Sequence, residues 1–441
     1  MFTNRMIRNL LVPVVLEQIL NSIMGTADTM MVSNVGSAAL SAVSLVDSIN
    51  ILLIQAFSAL AAGGAIVCAQ YIGQKNYEKA NMSARQVLFI ITAISVAVSA
   101  VCLIFQKPLL RLIFGAVEAD VMRASETYFF FTALSFPFIA AYDSAASIFR
   151  AQENTRGPMM ISMISNVMNI GGNAILIWVF HLGVAGAAVS TLVSRIFCAV
   201  VVLYQLRKDR QPIVVRNYLK IRPDWSMIGR ILGLGIPSGI ENSMFQLGKL
   251  AIQSTVSTLG TTAIAAQAMT NILENLNGIA AIGVGVGLMT IVGQCLGAGR
   301  KDEAVYYIKK LSVIAEVAII VSCLLVFALT RPVTALGGME PASAKMCFHM
   351  VTWITLVKPI VWTLAFVPAY GLRAAGDVKF SMITSCLVMW LCRFCLCVIL
   401  IRFLGFGPMG VWIGMFADWT VRAVIFTWRF HSRRWLRYKV I

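Results

Sequence analysis

Charge is what this chain has least of. Of its 441 residues only 19 are acidic and three are histidine, and charged residues of all kinds make up 12%. So thin a supply cannot clothe the surface of a soluble globule of this length. Strand-type alternation is missing too, which excludes an outer-membrane barrel. No Walker sequence occurs, so the chain has no means of hydrolysing ATP. No nucleophile sits with a base, and His181, His349 and His431 are scattered. Neither an enzyme nor a cofactor protein is therefore expected, and no metal cluster. The ten cysteines fall mostly within apolar stretches. Cys392 and Cys395 form a lone CxxC with no second pair, which reads as helix packing. A formal charge of +17 would suggest nucleic acid in a soluble protein. The basic-aromatic interleaving of such a surface is absent.

Apolar sequence is abundant instead. Hydrophobic residues reach 59% and the mean hydropathy is +0.81. Runs of about 20 apolar residues recur, each long enough to cross a bilayer core. The first carries Glu17 and Asp28 and has no small-residue cleavage site, so it reads as a span and not a signal peptide. Twelve spans are expected near 10–33, 46–72, 87–106, 126–149, 159–180, 184–206, 228–256, 267–296, 311–330, 346–372, 380–401 and 408–428. Loops on one side of these spans hold 25 Lys and Arg, and loops on the other hold six. The positive-inside rule then puts both termini in the cytoplasm. The longest polar stretch, 207–227, divides the chain into an N-lobe (1–206) and a C-lobe (228–441) joined by a cytoplasmic linker.

The halves are copies. At an offset of 224 residues Pro13 meets Pro237, Glu17 meets Glu241, Gly36 meets Gly260 and Gly63 meets Gly287. Gln70 then meets Gln294, and Gly73 meets Gly297. Further on, Arg150 and Ala151 match Arg373 and Ala374 with one residue of slip. Apolar matches are cheap in such a chain; paired Pro, Glu, Gln and Gly at one offset are not. An even number of spans per copy inserts both the same way up, the parallel-repeat plan of some secondary transporters. Two such bundles facing each other would leave a central cleft that opens to each side in turn. The cytoplasmic exits AQYIGQKNYEKA (69–80) and GQCLGAGRKDEA (293–304) read as hinges and stops.

These residues resemble a known family. The duplicated P-x-x-x-E, the DTMMVSNVGSAALSAVS stretch and the paired GQ exits are similar to the multidrug and toxic compound extrusion (MATE) transporters, in the bacterial branch near the DinF-type members. The resemblance implies an all-α polytopic membrane protein with twelve transmembrane helices in two pseudo-symmetric six-helix lobes. It implies a bacterial inner-membrane antiporter, expected as a monomer. Such a protein exports small organic compounds, often cationic and aromatic, in exchange for H⁺ or Na⁺. The wider superfamily adds an alternative, a flippase or exporter of a lipid-linked or other endogenous metabolite.

Asp28 is the expected coupling group. A carboxylate at membrane depth is costly and marks a functional site by default. Its charge is tolerated if a proton comes and goes, or if oxygens gather there around a hard cation. Span 5 offers Asn166, Asn169 and Asn173, and span 6 offers Ser190, Thr191 and Ser194. In the resemblance the cation set falls on Asp28, Asn169, Asn173 and Thr191. Asn173 stands where an Asp is usual, which halves the charge and shifts the expectation toward H⁺. One charge moving down 100 mV supplies about 2.3 kcal/mol.

Other polar residues lie at depth. Glu17 and Glu241 each follow a proline by four residues and are expected either to line the cleft or to bond the backbone that the proline frees. Asp47 and Asn50 map onto Asn271 and Glu274, and these four are also expected in the cleft. Asp143 and Asp418 are single acids, and Lys249, Lys358, Arg195, Arg393 and Arg422 are available counter-ions. Span 10 has no acid and carries Lys358, which argues against a C-lobe Na⁺ site. Acids at depth are at least as numerous as bases, which favours cationic cargo over the metabolite alternative.

Overall fold

The computed structural model describes residues Met1–Ile441 and contains no strand. Its long helices are span 1 (Asn4–Ser33), span 2 (Ser37–Gly73), span 3 (Tyr77–Ile104) and span 4 (Ala119–Leu134 continued by Phe136–Ala151). Span 5 (Arg156–Val179), span 6 (Val184–Leu206) and span 7 (Trp225–Val256) follow. The last five are span 8 (Thr261–Gly297), span 9 (Lys301–Leu336), span 10 (Pro341–Ala374), span 11 (Val378–Phe403) and span 12 (Met409–His431). Ten of these are single helices long and apolar enough to cross a membrane, and the bent span 4 makes an eleventh. Span 7 is 32 residues long but carries Glu241, Gln246, Lys249 and Gln253, and it is not among those ten. Most helices outrun the apolar runs that announce them. Span 2 starts nine residues before the expected 46 because helical geometry continues through Ser, Ala and Gly at its end. A short helix, Gln106–Phe114, holds Lys107 and Arg111 between spans 3 and 4.

The breaks have identifiable causes. Span 4 is bent by 41° at Ser135, where Pro137 cannot donate to the carbonyl of Ala133. That carbonyl accepts instead from the Ser99 hydroxyl of span 3 at 2.7 Å. Pro13 similarly frees backbone in span 1, and the Thr155 hydroxyl donates to the carbonyls of Leu10 and Asn9 at 2.8 and 3.4 Å. Thr155, not Glu17, therefore takes up the proline's unused acceptor. Span 5 ends in a π-helical stretch, Ala174–Val179. Span 11 holds two, Met389–Cys395 and Ile399–Phe403, and the latter lies at the repeat position of the stretch in span 5.

Two compact units emerge: Arg5–Gly239 with Ile441, and Ile240–Val440 with Met1–Asn4. In the first, span 2 packs on spans 3 and 4, span 3 on span 4, and span 6 on spans 4 and 5. In the second, span 8 packs on spans 9 and 10, span 9 on span 10, span 10 on span 12, and span 11 on span 12. The two packing schemes are the same. Spans 2 and 8 even have equal lengths of 37 residues at the 224-residue offset. Each is entered through a glycine with positive φ, Gly36 at 147° and Gly260 at 96°, both with ψ of 168°. That region is open essentially to glycine alone, which explains why this repeat pair is kept.

Polar segments are tied down rather than loose. Ile213 and Val215 of the linker are buried, and the Asn81 amide bonds Pro212 and Val214 across it. Asp224 accepts from the backbone N–H groups of Ser226 and Met227 and so caps span 7. The outer faces are apolar: Val96 and Val101 on span 3, and Val317, Val321, Leu324 and Leu325 on span 9, are all exposed. Water would not support such faces, and lipid does.

Within the first unit, Gly63 of span 2 meets Gly235 of span 7 with no side chain between. A Cβ on Gly63 would stand 2.6 Å from the Gly235 nitrogen, and one on Gly235 would stand 2.9 Å from the Leu60 Cα. Backbone cannot yield as a side chain does. Gly63→Ala is therefore expected to destabilise the fold by about 1–3 kcal/mol, read as a lower melting temperature of the detergent-solubilised protein. An alanine variant that melts with the wild type would contradict this close approach.

Candidate functional site

The acids of the first unit fall into two kinds. Glu17 is 3% exposed and fully committed. Arg150 approaches both its carboxylate oxygens at 3.2 Å, and the Tyr142 hydroxyl lies at 3.3 Å. Glu241 repeats this arrangement in the second unit. Arg373 donates to it at 2.6 Å, with Ser385 at 2.7 Å and Ser381 at 3.3 Å. The matched pairs Glu17/Glu241 and Arg150/Arg373 are thus one buried ion pair built twice. Sequence reasoning listed both pairs without joining them. The one-residue slip between the two matches hid the connection, although the repeated Arg was the signal that could have found it.

Asp28, Asp47 and Asp143 are of the other kind, with no ion pair. Asp28 accepts a short hydrogen bond from the Asn173 side-chain amide. Asn173 is fully buried, and its own carbonyl oxygen has no hydrogen-bond partner. Asp47 accepts from the Tyr128 hydroxyl at 3.1 Å and from Asn50 at 3.3 Å. Asp143 accepts from Ser58 at 2.7 Å. Arg195 donates to Ser135 at 2.6 Å and lies within Coulombic reach of all three carboxylates, and Arg150 also acts on Asp143. Tyr128, Ser58 and Asn21 escaped sequence reasoning, since hydroxyls and amides of this kind occur in most helices. Asn21 accepts from Ser162 and Asn166 at 2.9 Å each, so spans 1 and 5 are stitched at two levels.

Of the four residues expected at the cation set, Asp28 and Asn173 are in contact. Asn169 is held instead by Ser190, whose hydroxyl lies 2.9 Å from its backbone carbonyl and 3.0 Å from its side-chain oxygen. The Thr191 hydroxyl donates to Ala187 of its own helix at 3.1 Å. Gly172 allows spans 5 and 6 to close there, since a Cβ on it would meet the Ser190 hydroxyl at 2.5 Å.

In the second unit the residues Asn271 and Glu274 part company. Asn271 is exposed and accepts from Gln267 at 3.4 Å. Glu274 pairs with Lys358 at 2.7 Å. Lys358 is wholly buried, is bonded also to Asn277, and lies over the rings of Trp362 and Trp419 at 5.2 and 5.7 Å. Asp418 pairs with Arg422 at 2.7 Å and with Arg393 at 3.6 Å. Lys358, one of the available counter-ions, thus answers Glu274.

Repeated six-span units, apolar outer faces and paired charges at depth define a polytopic helical membrane protein. The chain belongs to the MatE family, whose model matches residues 13–175 and again 237–399. Both matches keep the 224-residue register. Members of this family are transporters and not enzymes, so the chain moves small compounds across a membrane. Among its relatives, the "Uncharacterized transporter YisQ" of Bacillus subtilis is 25% identical over 432 residues, 96% of this chain and 93% of that protein. The "Probable multidrug resistance protein NorM" of Thermotoga maritima is 25% identical over 439 residues, covering 98% and 93%. A crystal structure of MATE in complex with MaL6 shares the fold at a TM-score of 0.89 and 18% identity, covering 97% of this chain and 95% of that one.

A buried ion pair is most costly when broken on one side. Arg150→Met leaves the Glu17 charge stranded and is expected to lose about 3–5 kcal/mol. The double variant with Glu17→Gln is expected to recover most of it, as measured by thermal unfolding in detergent. A double variant no more stable than Arg150→Met would contradict the pairing.

Proposed function

We propose that the chain is a secondary active multidrug exporter. It expels organic compounds, cationic and aromatic ones among them, by alternating access in exchange for H⁺. Asp28 is the coupling group. The observation that carries this is the neutrality of its partner. A carboxyl bonded to an amide can be protonated without leaving a cation stranded, whereas protonating Glu17 would strand Arg150. The side-chain carbonyl oxygen of Asn173 has no hydrogen-bond partner, so the same residue also holds an unused acceptor. A Na⁺ would use the same oxygens, but one carboxylate with Arg195 close by is a weak cation site. The Thermotoga relative, a probable multidrug resistance protein, supports the drug-export reading. Asp47, Asn50 and Asp143 belong to the same polar tract and are candidates to meet cargo.

The 25-to-six bias of basic residues supports an orientation with both termini in the cytoplasm of a bacterial cell. A fluorescent protein fused after Ile441 should therefore glow and alkaline phosphatase fused there should be inactive. An active phosphatase would invert the topology.

Coupling is tested in liposomes with the gradients imposed one at a time. An outward-directed flux of ethidium should follow a pH gradient, and Asp28→Asn should reduce it to that of empty liposomes. Flux driven by sodium alone and indifferent to protons would overturn the choice of ion. Normal proton-driven flux in Asp28→Asn would overturn the choice of residue.

A further inference from the structure

The duplication permits a comparison that neither half offers alone. In the 224-residue register, Gly25 and Asp28 of span 1 correspond to Lys249 and Ile252 of span 7. At the same offset Asn169 and Asn173 of span 5 fall on Arg393 and Cys397 of span 11, in the stretch where the one-residue slip seen at Arg150 and Arg373 is made up. The acid of the first copy is gone from the second, and two bases have entered at the matching places. Polarity has been inverted on one scaffold.

The structure brings those two bases together. The Lys249 ammonium lies 4.9 Å from the centre of the Phe245 ring, and the Arg393 guanidinium lies 5.1 Å from the same ring. Arg393 sits in the π-helical stretch Met389–Cys395, where helices frequently carry function. It is 3% exposed, yet its Nε has no hydrogen-bond partner. Its other contacts are thin: Asp418 at 3.6 Å and the Met389 sulfur at 3.7 Å. Lys249 is exposed, and no carboxylate pairs with it. The acids that might have done so are taken, Glu274 by Lys358 and Asp418 by Arg422. An unpaired lysine at this depth is expensive and marks a function by default.

We propose that Lys249 and Arg393, both beside the Phe245 ring, form an anion subsite in the C-terminal unit that binds a carboxylate borne by an aromatic cargo. Lys249 makes the direct contact. Arg393 adds positive potential from beside the same ring. The ring supplies a face for the aromatic body of the compound. Phosphate on an anionic lipid headgroup has the same chemistry, and the test separates the two sources. This deepens the exporter reading by adding amphoteric and anionic aromatic compounds to its cargo. It rests on that reading only for the word cargo, because binding is measured with no gradient.

The test is equilibrium binding of dansylglycine and of its uncharged analogue dansylglycinamide to the full chain in nanodiscs, read by fluorescence polarisation. In phosphatidylcholine discs the wild type should prefer the carboxylate. Lys249→Met should lose about tenfold of the carboxylate affinity, equal to about 1.4 kcal/mol, and leave the amide unchanged. Lys249→Arg should keep the preference. Arg393→Gln should show the same selective loss; if it does not fold, the Lys249 pair of variants decides alone. Equal weakening of both ligands, or no change in either, would overturn the proposal. So would a preference that vanishes in discs containing phosphatidylglycerol, since a headgroup would then be the occupant.

Discussion

A charge held among helices at membrane depth must be answered, and the nature of the answer decides what that charge can do. Where the partner is a base, the pair is permanent, because removing either member exposes the other to a medium that solvates it badly. Glu17 with Arg150, Glu241 with Arg373, Glu274 with Lys358 and Asp418 with Arg422 are of this kind. Where the partner is an amide or hydroxyl, the acid can lose its charge and keep its hydrogen bond. Asp28, Asp47 and Asp143 are of this second kind, and all three lie in the unit that Arg195 shares. Structure and proposed coupling thus divide along the same chemical line.

Duplication gives that division a history within one chain. The features that repeat are architectural: the glycine entries at Gly36 and Gly260, the prolines at 13 and 237, and the glutamate-arginine pair. Both copies need them because both copies must pack six helices in lipid. The positions that diverge are those around Asp28 and its counterpart Ile252. A site released from its first role can change sign at little structural cost, since the scaffold does not depend on it. The buried Lys358 shows how far the second copy has gone, with a cation built in among Glu274, Asn277 and two tryptophans.

Much of the fold was legible because lipid simplifies the reading. Apolar runs announce spans, and a repeat that includes Pro, Glu, Gln and Gly announces two like halves. Span ends were less legible, as Ser37 shows, because helices continue past the apolar run into small and polar residues. The 41° bend of span 4 was signalled only by Pro137, and its rescue by Ser99 not at all. The candidate site was legible in part. Asp28 stood out as an acid in a greasy run, and span 5 advertised its asparagines. Which asparagine meets Asp28 depends on helix rotation, which periodicity leaves open; the structure selects Asn173 and turns Asn169 toward Ser190. Ion pairs such as Glu17 with Arg150 join residues 133 apart in sequence, beyond the reach of local pattern.

The central claim is that the carboxyl of Asp28 changes its protonation because its partner is neutral, while the ion-paired acids hold theirs. Infrared difference spectroscopy of the protein in lipid, with aspartate isotopically labelled, reads this directly. Passing from mildly acidic to alkaline buffer should bleach the carbonyl stretch of protonated aspartic acid in the wild type, and that band should shrink in Asp28→Asn by the share of Asp28, with Asp47 and Asp143 supplying the rest. A band that survives unchanged in Asp28→Asn, or an Asp28 carboxylate signature at every pH, would contradict the account.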